Sequence, residues 1–254
     1  MNPGTAALTR GLEVLEMLAD DEPARTGLRV AQLAQRLDTD RSQMSRTLQT
    51  LHEHGFVDRD PETLAYRLGW RVFALAARAG EARLVHEAPP VLRALVRELG
   101  ESVHLSVRQG TMVLTLLAES PPATLHAPGR VGGLTPIATT SAGRALVSDL
   151  DRHELDELGL GHLTRVVDEI GELGYAIVRE EFEPGLVAAA APIFGPGGRV
   201  VAALNVSGPR FRFDDRLDEA ARRLVVAADG LAGSIGGAPA TARGRGLRPA
   251  PRPS

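Results

Sequence analysis

Apolar residues recur three and four apart over the N-terminal part of the chain and alternate with polar ones farther on. That pattern predicts helices first and a mixed helix–strand region after them. Leu8, Leu12, Leu15 and Leu18 form one stripe on a helix expected over Thr5–Ala19. Asp20-Asp-Glu-Pro-Ala breaks it, because Pro23 cannot continue the helix. A short amphipathic helix is expected over Val30–Leu37, a tight polar turn at Asp38-Thr-Asp40, and a second helix over Arg41–Leu51. After Gly55 the pattern becomes Phe56-Val-Asp-Arg59, a turn at Asp60-Pro-Glu-Thr63, and Tyr66-Arg-Leu68, a small hairpin. Helix, turn, second helix and hairpin make a winged helix-turn-helix, which sets one helix in the major groove of DNA.

A linker helix is expected over Trp70–Val85, with Val72, Phe73, Leu75, Ala76, Ala79 and Leu84 on it. It is too apolar for a solvated connector and is expected to pack against a partner chain. Pro89-Pro90 marks the start of a second domain. There a helix over Val91–Leu99 precedes strand-like runs at Ser102–Arg108 and Met112–Ala118, turning at Gln109-Gly110. A loop through Gly129–Gly133 leads to Pro136, and a helix over Ser141–Leu150 follows, with Thr139, Thr140 or Ser141 as its cap. Another helix, Thr164–Leu173, stops at Gly174. Runs at Tyr175–Arg179, Leu186–Phe194 and Arg199–Ser207 read as strands, the last two joined by Gly195-Pro-Gly-Gly198, before a terminal helix over Asp214–Leu231. The second domain is therefore expected to be α+β with a largely antiparallel sheet. The expected boundaries are 1–69 for the winged helix-turn-helix, 70–88 for the linker, 89–235 for the second domain and 236–254 for a disordered Pro/Gly/Arg tail.

Composition narrows the classes. At 254 residues the chain can bury two cores. No run approaches the roughly 18 apolar residues of a membrane span, and the first residues lack a signal-peptide pattern. The chain has no cysteine, which suits the cytoplasm, and its histidines show no metal-ligand spacing. No metal or other cofactor is expected. The net charge of −3 lacks the global basic signature of many nucleic-acid binders, so a local patch must serve. All the basic residues are arginines, which fits either bidentate recognition of phosphate and guanine or coding bias in a GC-rich genome.

The second helix supplies the patch. With Asp40 as cap, Met44, Leu48 and Leu51 face inward with Leu33 and Leu37. Arg41, Ser42, Gln43, Ser45, Arg46 and Gln49 are left on the other face. Arginine pairs bidentately with guanine, glutamine with adenine, and serine reaches phosphates or bases. Arg59 and Arg67 flank the wing turn, where they either grip the DNA backbone or minor groove or pair across the strands with Asp58, Asp60 or Glu62. No nucleophile elbow, P-loop or metal cluster is present. Ser141 and His104 could be written as nucleophile and base, but nothing in the sequence pairs them, and the chain is not expected to be an enzyme.

These residues resemble the IclR family of transcriptional regulators from about Leu8 to Gly208. The resemblance rests on Gly11–Leu18, Leu33–Leu37, Ser42–Leu48, Gly55–Arg59 and Tyr66–Gly69 in the first domain. In the second it rests on Gly100–Leu105, Pro136–Leu146, Gly174-Tyr-Ala176, Glu180–Gly185, Ala190–Pro192 and Val200–Gly208. The resemblance implies homodimers or tetramers and a GAF-like domain that binds a small-molecule effector, such as an organic acid; a dimer would read a palindromic double-stranded DNA operator. Positions matching the family's pocket include Thr139, Thr140, Leu186, Ala188, Asn205 and Ser207. Thr140 and Ser141 stand beside helix amides able to hold a carboxylate, although these hydroxyls could equally cap the helix. Ala188 replaces a small polar or sulfur side chain common in the family, and Val178-Arg179 lies where an acid is frequent, so the pocket is expected to be more apolar. The alternatives are an effector-independent regulator and a small-molecule sensor that acts through protein contacts.

Overall fold

The computed structural model describes residues 3–76, 82–122, 131–237 and 239. By its internal contacts the chain divides into two units, Met1–Ala82 and Arg83–Ser254. The expectations for Ala79, for the loop at Gly129 and for the tail beyond residue 239 lie outside the described residues.

The first unit holds α1 (Pro3–Ala19), α2 (Asp21–Thr26), α3 (Val30–Arg36), α4 (Arg41–Glu53), β1 (Val57–Arg59), β2 (Tyr66–Leu68) and α5 (Trp70–Ala76). Asp38 turns the chain between α3 and α4 at a left-handed φ of 45°, a conformation aspartate tolerates better than most residues. β1 and β2 pair antiparallel, Arg59 opposite Tyr66 and Asp58 opposite Arg67. Leu28 bridges to Tyr66 from outside the hairpin. A Cβ at neighbouring Gly27 would stand 2.8 Å from the Tyr66 carbonyl oxygen; only glycine lets the two backbones meet there. Val14, Leu18, Leu28, Leu33, Met44, Leu48, Val57 and Tyr66 form the core, with Leu37 and Leu51 packed at its edge.

The structure refines three expectations for this unit. α1 stops at Ala19, where the break was expected, but the breaking segment itself goes on as a separate short helix, Asp21–Thr26, because Pro23 falls in its first turn, where backbone N–H groups have no intrahelical partner. The core-facing residues of α1 are Val14 and Leu18, while Leu8 and Leu12 are exposed: the helix outruns the core it packs on. Of the expected linker helix, Trp70–Ala76 and Ala82–Val85 are helical and residues 77–81 lie outside the described ones; Leu84 is buried in the second unit's own core.

All but the first residue of α6 (Ala82–Leu99) belongs to the second unit, which continues through β3 (Ser102–Gln109), β4 (Met112–Glu119), β5 (Leu134–Pro136), α7 (Ser141–Leu146), α8 (Arg152–Glu157) and α9 (Thr164–Leu173). It closes with β6 (Ala176–Arg179), β7 (Leu186–Phe194), β8 (Val200–Pro209), α10 (Arg210–Phe213) and α11 (Leu217–Ser234). The six strands lie in the order β5-β4-β3-β8-β7-β6, every neighbour antiparallel. Pro89 and Pro90 sit inside α6 instead of marking its start. A proline in a helix interior costs about 3 kcal/mol. Leu84, Ala88, Leu92, Leu95 and Leu99 form a buried stripe across it, and at about 1.5–3 kcal/mol for each leucine that burial outweighs the break. α7 ends at Leu146, earlier than expected, and α8 starts in the interval at an Asp151–Glu154 capping box. α11 begins only at Leu217, after the short α10 and a 3-10 turn.

Strand alternation sorts the sheet into two faces. Val103 and Leu105, Val187, Ala189, Ala191 and Ile193, and Ala202, Leu204 and Val206 face α6 and α11. On the other side, Val113, Ala190 and Ala203 pack with α7, α8 and α9. Those three helices cover only part of that face, and the uncovered part is a cavity. Among the described residues no helix is long and apolar enough to cross a membrane.

Candidate functional site

Two surfaces carry the candidate chemistry. The first is the outer face of α4. Asp40 caps the helix, its Oδ1 accepting from the Ser42 and Gln43 amides at 2.8 and 2.9 Å. The Ser42 hydroxyl donates to the same oxygen at 2.7 Å, and these hydrogen bonds hold the Asp40 carboxyl below its usual range. Met44 and Leu48 are buried beneath.

The six polar residues expected on this face are not equivalent. Ser42 is engaged in the cap, Gln43 is half-buried and accepts from Thr39 at 3.4 Å, and Gln49 donates to Glu53 at 3.0 Å. Arg41, Ser45 and Arg46 are exposed, and their side chains make no hydrogen bond or ion pair among the described residues. In the wing, the Arg59 guanidinium lies 5.7 Å from the Tyr66 ring centroid, a cation–π contact. Arg67 contributes to lowering the Asp60 carboxyl, after the backbone and side-chain hydrogen bonds of Thr63. Among the described residues neither arginine forms an ion pair with Asp58, Asp60 or Glu62, the alternative to DNA contact.

The second surface is a cavity of about 70 Å³ that is partly open to solvent. All seven pocket residues expected from the sequence line it: Thr139, Thr140, Ser141, Leu186, Ala188, Asn205 and Ser207. Register explains the meeting. Ala188 stands opposite both Ser207 and Val178, and Asn205 stands between Ala190 and His104. Rows running across three or four strands therefore present one face. Gly143 lets α7 close on the site, because a Cβ there would lie 2.3 Å from the Ile137 carbonyl oxygen. Thr140 is the cap of α7: its hydroxyl accepts from the Gly143 amide at 3.2 Å and donates to the Pro136 carbonyl at 2.7 Å.

The structure adds residues that sequence reading did not place in the pocket, among them His104, Ser106, Thr115, Val178 and Phe182. His104 and Ser106 follow the alternation of β3, but only the β3–β8 pairing brings them beside Asn205. His104 is buried, and burial pushes its imidazole down to about 4. His104 and Ser141 face the same cavity without a hydrogen bond between them, so they do not form a nucleophile–base pair. Phe182 belongs to the loop between β6 and β7. Arg144 of α7 pairs with Glu181, Arg210 pairs with Glu180, and the Gly185 amide donates to Glu180 at 2.8 Å.

A winged helix-turn-helix in one unit and, in the other, an antiparallel sheet with helices on both faces and a cavity on one of them define a two-part DNA-binding regulator. The chain matches the model of the bacterial transcriptional regulator IclR C-terminal domain over residues 76–232 and that of the IclR helix-turn-helix domain over residues 7–61. It is 32% identical to the HTH-type transcriptional regulator BhcR of Paracoccus denitrificans, over 93% of this chain and 88% of that one. It is 28% identical to the transcriptional repressor IclR of Escherichia coli, over 91% and 90%. The crystal structure of an IclR homologue from Microbacterium hydrocarbonoxydans complexed with 4-hydroxybenzoate superposes with a TM-score of 0.70 at 23% identity, over 90% of this chain and 98% of that one. The chain belongs to the IclR family and is a DNA-binding transcriptional regulator of that type.

Proposed function

We propose that this regulator is controlled by a small organic effector bound in the cavity between the sheet and α7, and that it acts as a cytoplasmic repressor. The observation that carries this reading is the convergence of seven residues, from three separate stretches of sequence, on one concave site with few, separate polar groups. The 4-hydroxybenzoate held by the Microbacterium homologue supports an organic acid as the class of effector, and the similarity to the E. coli repressor supports the sign of control. Effector binding shifts the population of DNA-competent arrangements, for which a coupling of about 1–3 kcal/mol suffices.

On the DNA side, Arg41, Ser45 and Arg46 read the operator directly. Ser42, Gln43 and Gln49 contribute at its edge, and Arg59 and Arg67 contact the backbone or minor groove. Leu8, Leu12, Trp70, Phe73 and Leu75 are each half or more exposed. Apolar exposure on that scale supports a homodimer or tetramer on a palindromic operator.

The test is fluorescence anisotropy of the full chain on DNA from directly upstream of its gene, at physiological salt with excess nonspecific competitor. Competitor-resistant binding released by a small organic acid is the expected result. Specific binding that no small molecule alters would favour an effector-independent regulator. Ligand binding without specific DNA binding would favour a sensor that acts through protein contacts.

A further inference from the structure

We infer that His104, with Ser141, selects the effector by receiving an sp² oxygen of a carboxylate or carbonyl group. This rests on the effector reading above and adds the residue and the ligand group that decide specificity.

His104 stands on β3 directly opposite Asn205 of β8. The Asn205 amide nitrogen lies 3.4 Å from His104 Nδ1. An amide nitrogen only donates, so Nδ1 accepts, and the neutral ring carries its proton on Nε2. Burial keeps the ring neutral at physiological pH. His104 is 4% exposed, its Nε2 is buried, and that atom has no partner among the described residues. Ser141, at the start of α7, is 1% exposed, and its hydroxyl has no partner there either.

The two unsatisfied groups come from elements far apart in sequence and line the same cavity. Buried polar groups are almost always hydrogen-bonded, and leaving one unmade is costly. The neighbouring Thr140 hydroxyl is already used twice in capping α7. Among the described residues no arginine or carboxylate lines the cavity, and Glu101, on the loop just before β3, is turned to Arg212 at 2.6 Å. A ligand oxygen therefore meets a neutral N–H donor and a hydroxyl, not a cation. A carboxylate and a carbonyl both supply the acceptor these groups lack; a carboxylate beside the imidazole also favours proton uptake by the ring.

The experiment uses the full chain, with calorimetry and thermal shift against acid and amide pairs: 4-hydroxybenzoate with 4-hydroxybenzamide, and pyruvate with pyruvamide, plus short dicarboxylates. For any compound that binds, affinity is expected to fall at least tenfold in His104→Phe, which keeps a ring and removes the donor. His104→Gln, which restores an N–H, is expected to recover part of it. Affinity kept within twofold in a folded His104→Phe variant would overturn this inference and leave the effector reading standing. Binding of no compound to the wild-type chain would overturn both. Should His104→Phe not fold, the imidazole ¹⁵N resonances of the wild-type chain decide. Nε2 is expected to be the protonated nitrogen and to shift on ligand binding, and an unmoved resonance overturns the inference. Binding of the acid alone, with proton uptake at pH 7, assigns a carboxylate; binding of acid and amide alike, without uptake, assigns a carbonyl.

Discussion

The outer face of α4 and the cavity of the second unit solve recognition in opposite ways. The α4 face is built from one continuous helix, Arg41–Glu53, and its unengaged residues are exposed, two arginines and a serine. The cavity is drawn from strands and loops spread between His104 and Ser207, is buried, and presents hydroxyls, an amide and a neutral imidazole. DNA brings its charge as an accessible polyanion, so flexible exposed arginines suit it. A small ligand must leave water completely, so its site needs fixed, desolvated partners. Positions three and four apart on one helix suffice for the first surface; only the pairing of distant strands makes the second.

The sharpest break of this contrast should come from the core under α4. Leu48 is fully buried, and Leu48→Ala is expected to destabilise the first unit by about 2–5 kcal/mol. DNA binding should be lost at a temperature where ligand-induced thermal shift, a property of the second unit, persists. Simultaneous loss of both would show that the units do not melt separately.

Acid should act on the cavity in particular. The His104 imidazole is held at about 4 in the folded chain against an ordinary 6.5. Between those values the unfolded chain binds the extra proton, so stability falls as pH drops from about 6.5 towards 4, by on the order of 3 kcal/mol. Denaturant melts of the wild type should show that slope and His104→Gln should lack most of it. An equal slope in both would assign the acid sensitivity to other groups.

Next in size is Arg46→Ala, expected to weaken specific operator binding by roughly 10–100-fold, as for one lost bidentate contact. Unchanged anisotropy titrations by a folded variant would remove Arg46 from the reading surface. The smallest effect belongs to Gln49→Ala, because its amide is already engaged by Glu53. It should change specific affinity by no more than about twofold, since a pre-engaged amide forfeits one hydrogen bond to gain another. A drop matching that of Arg46→Ala would mean that the pair opens on DNA.

Much of the molecule was legible along the chain, for a local reason. The α3–α4 pair, the wing, the strands around Gly110 and Gly195 and the Gly174 stop follow from periodicity, capping and turn chemistry acting within a few residues. Legibility failed where neighbours decide. Pro89 and Pro90 read as a break, yet α6 runs through them because its leucine stripe is buried on the sheet. Leu8 and Leu12 read as core but face out, and nothing local distinguishes them from Val14 and Leu18. The division of the α4 face into engaged and unengaged side chains depends on rotamers that helical spacing does not report.

The cavity shows the same limit at the site itself. Thr139, Thr140, Ser141, Leu186, Ala188, Asn205 and Ser207 were reachable through family resemblance, and alternation placed the strand pairs on one face. His104 was visible only as a lone polar residue in an apolar strand. The sequence by itself determined the helices, the strands, the exposed arginines of α4 and the kinds of side chain available, because those rest on interactions between near neighbours. Tertiary structure alone decided that β3 lies beside β8, which sets His104 opposite Asn205, buries it, removes its charge and leaves its Nε2 without a partner among the described residues. Long-range register and desolvation produce that result, and neither is written in any local run of residues.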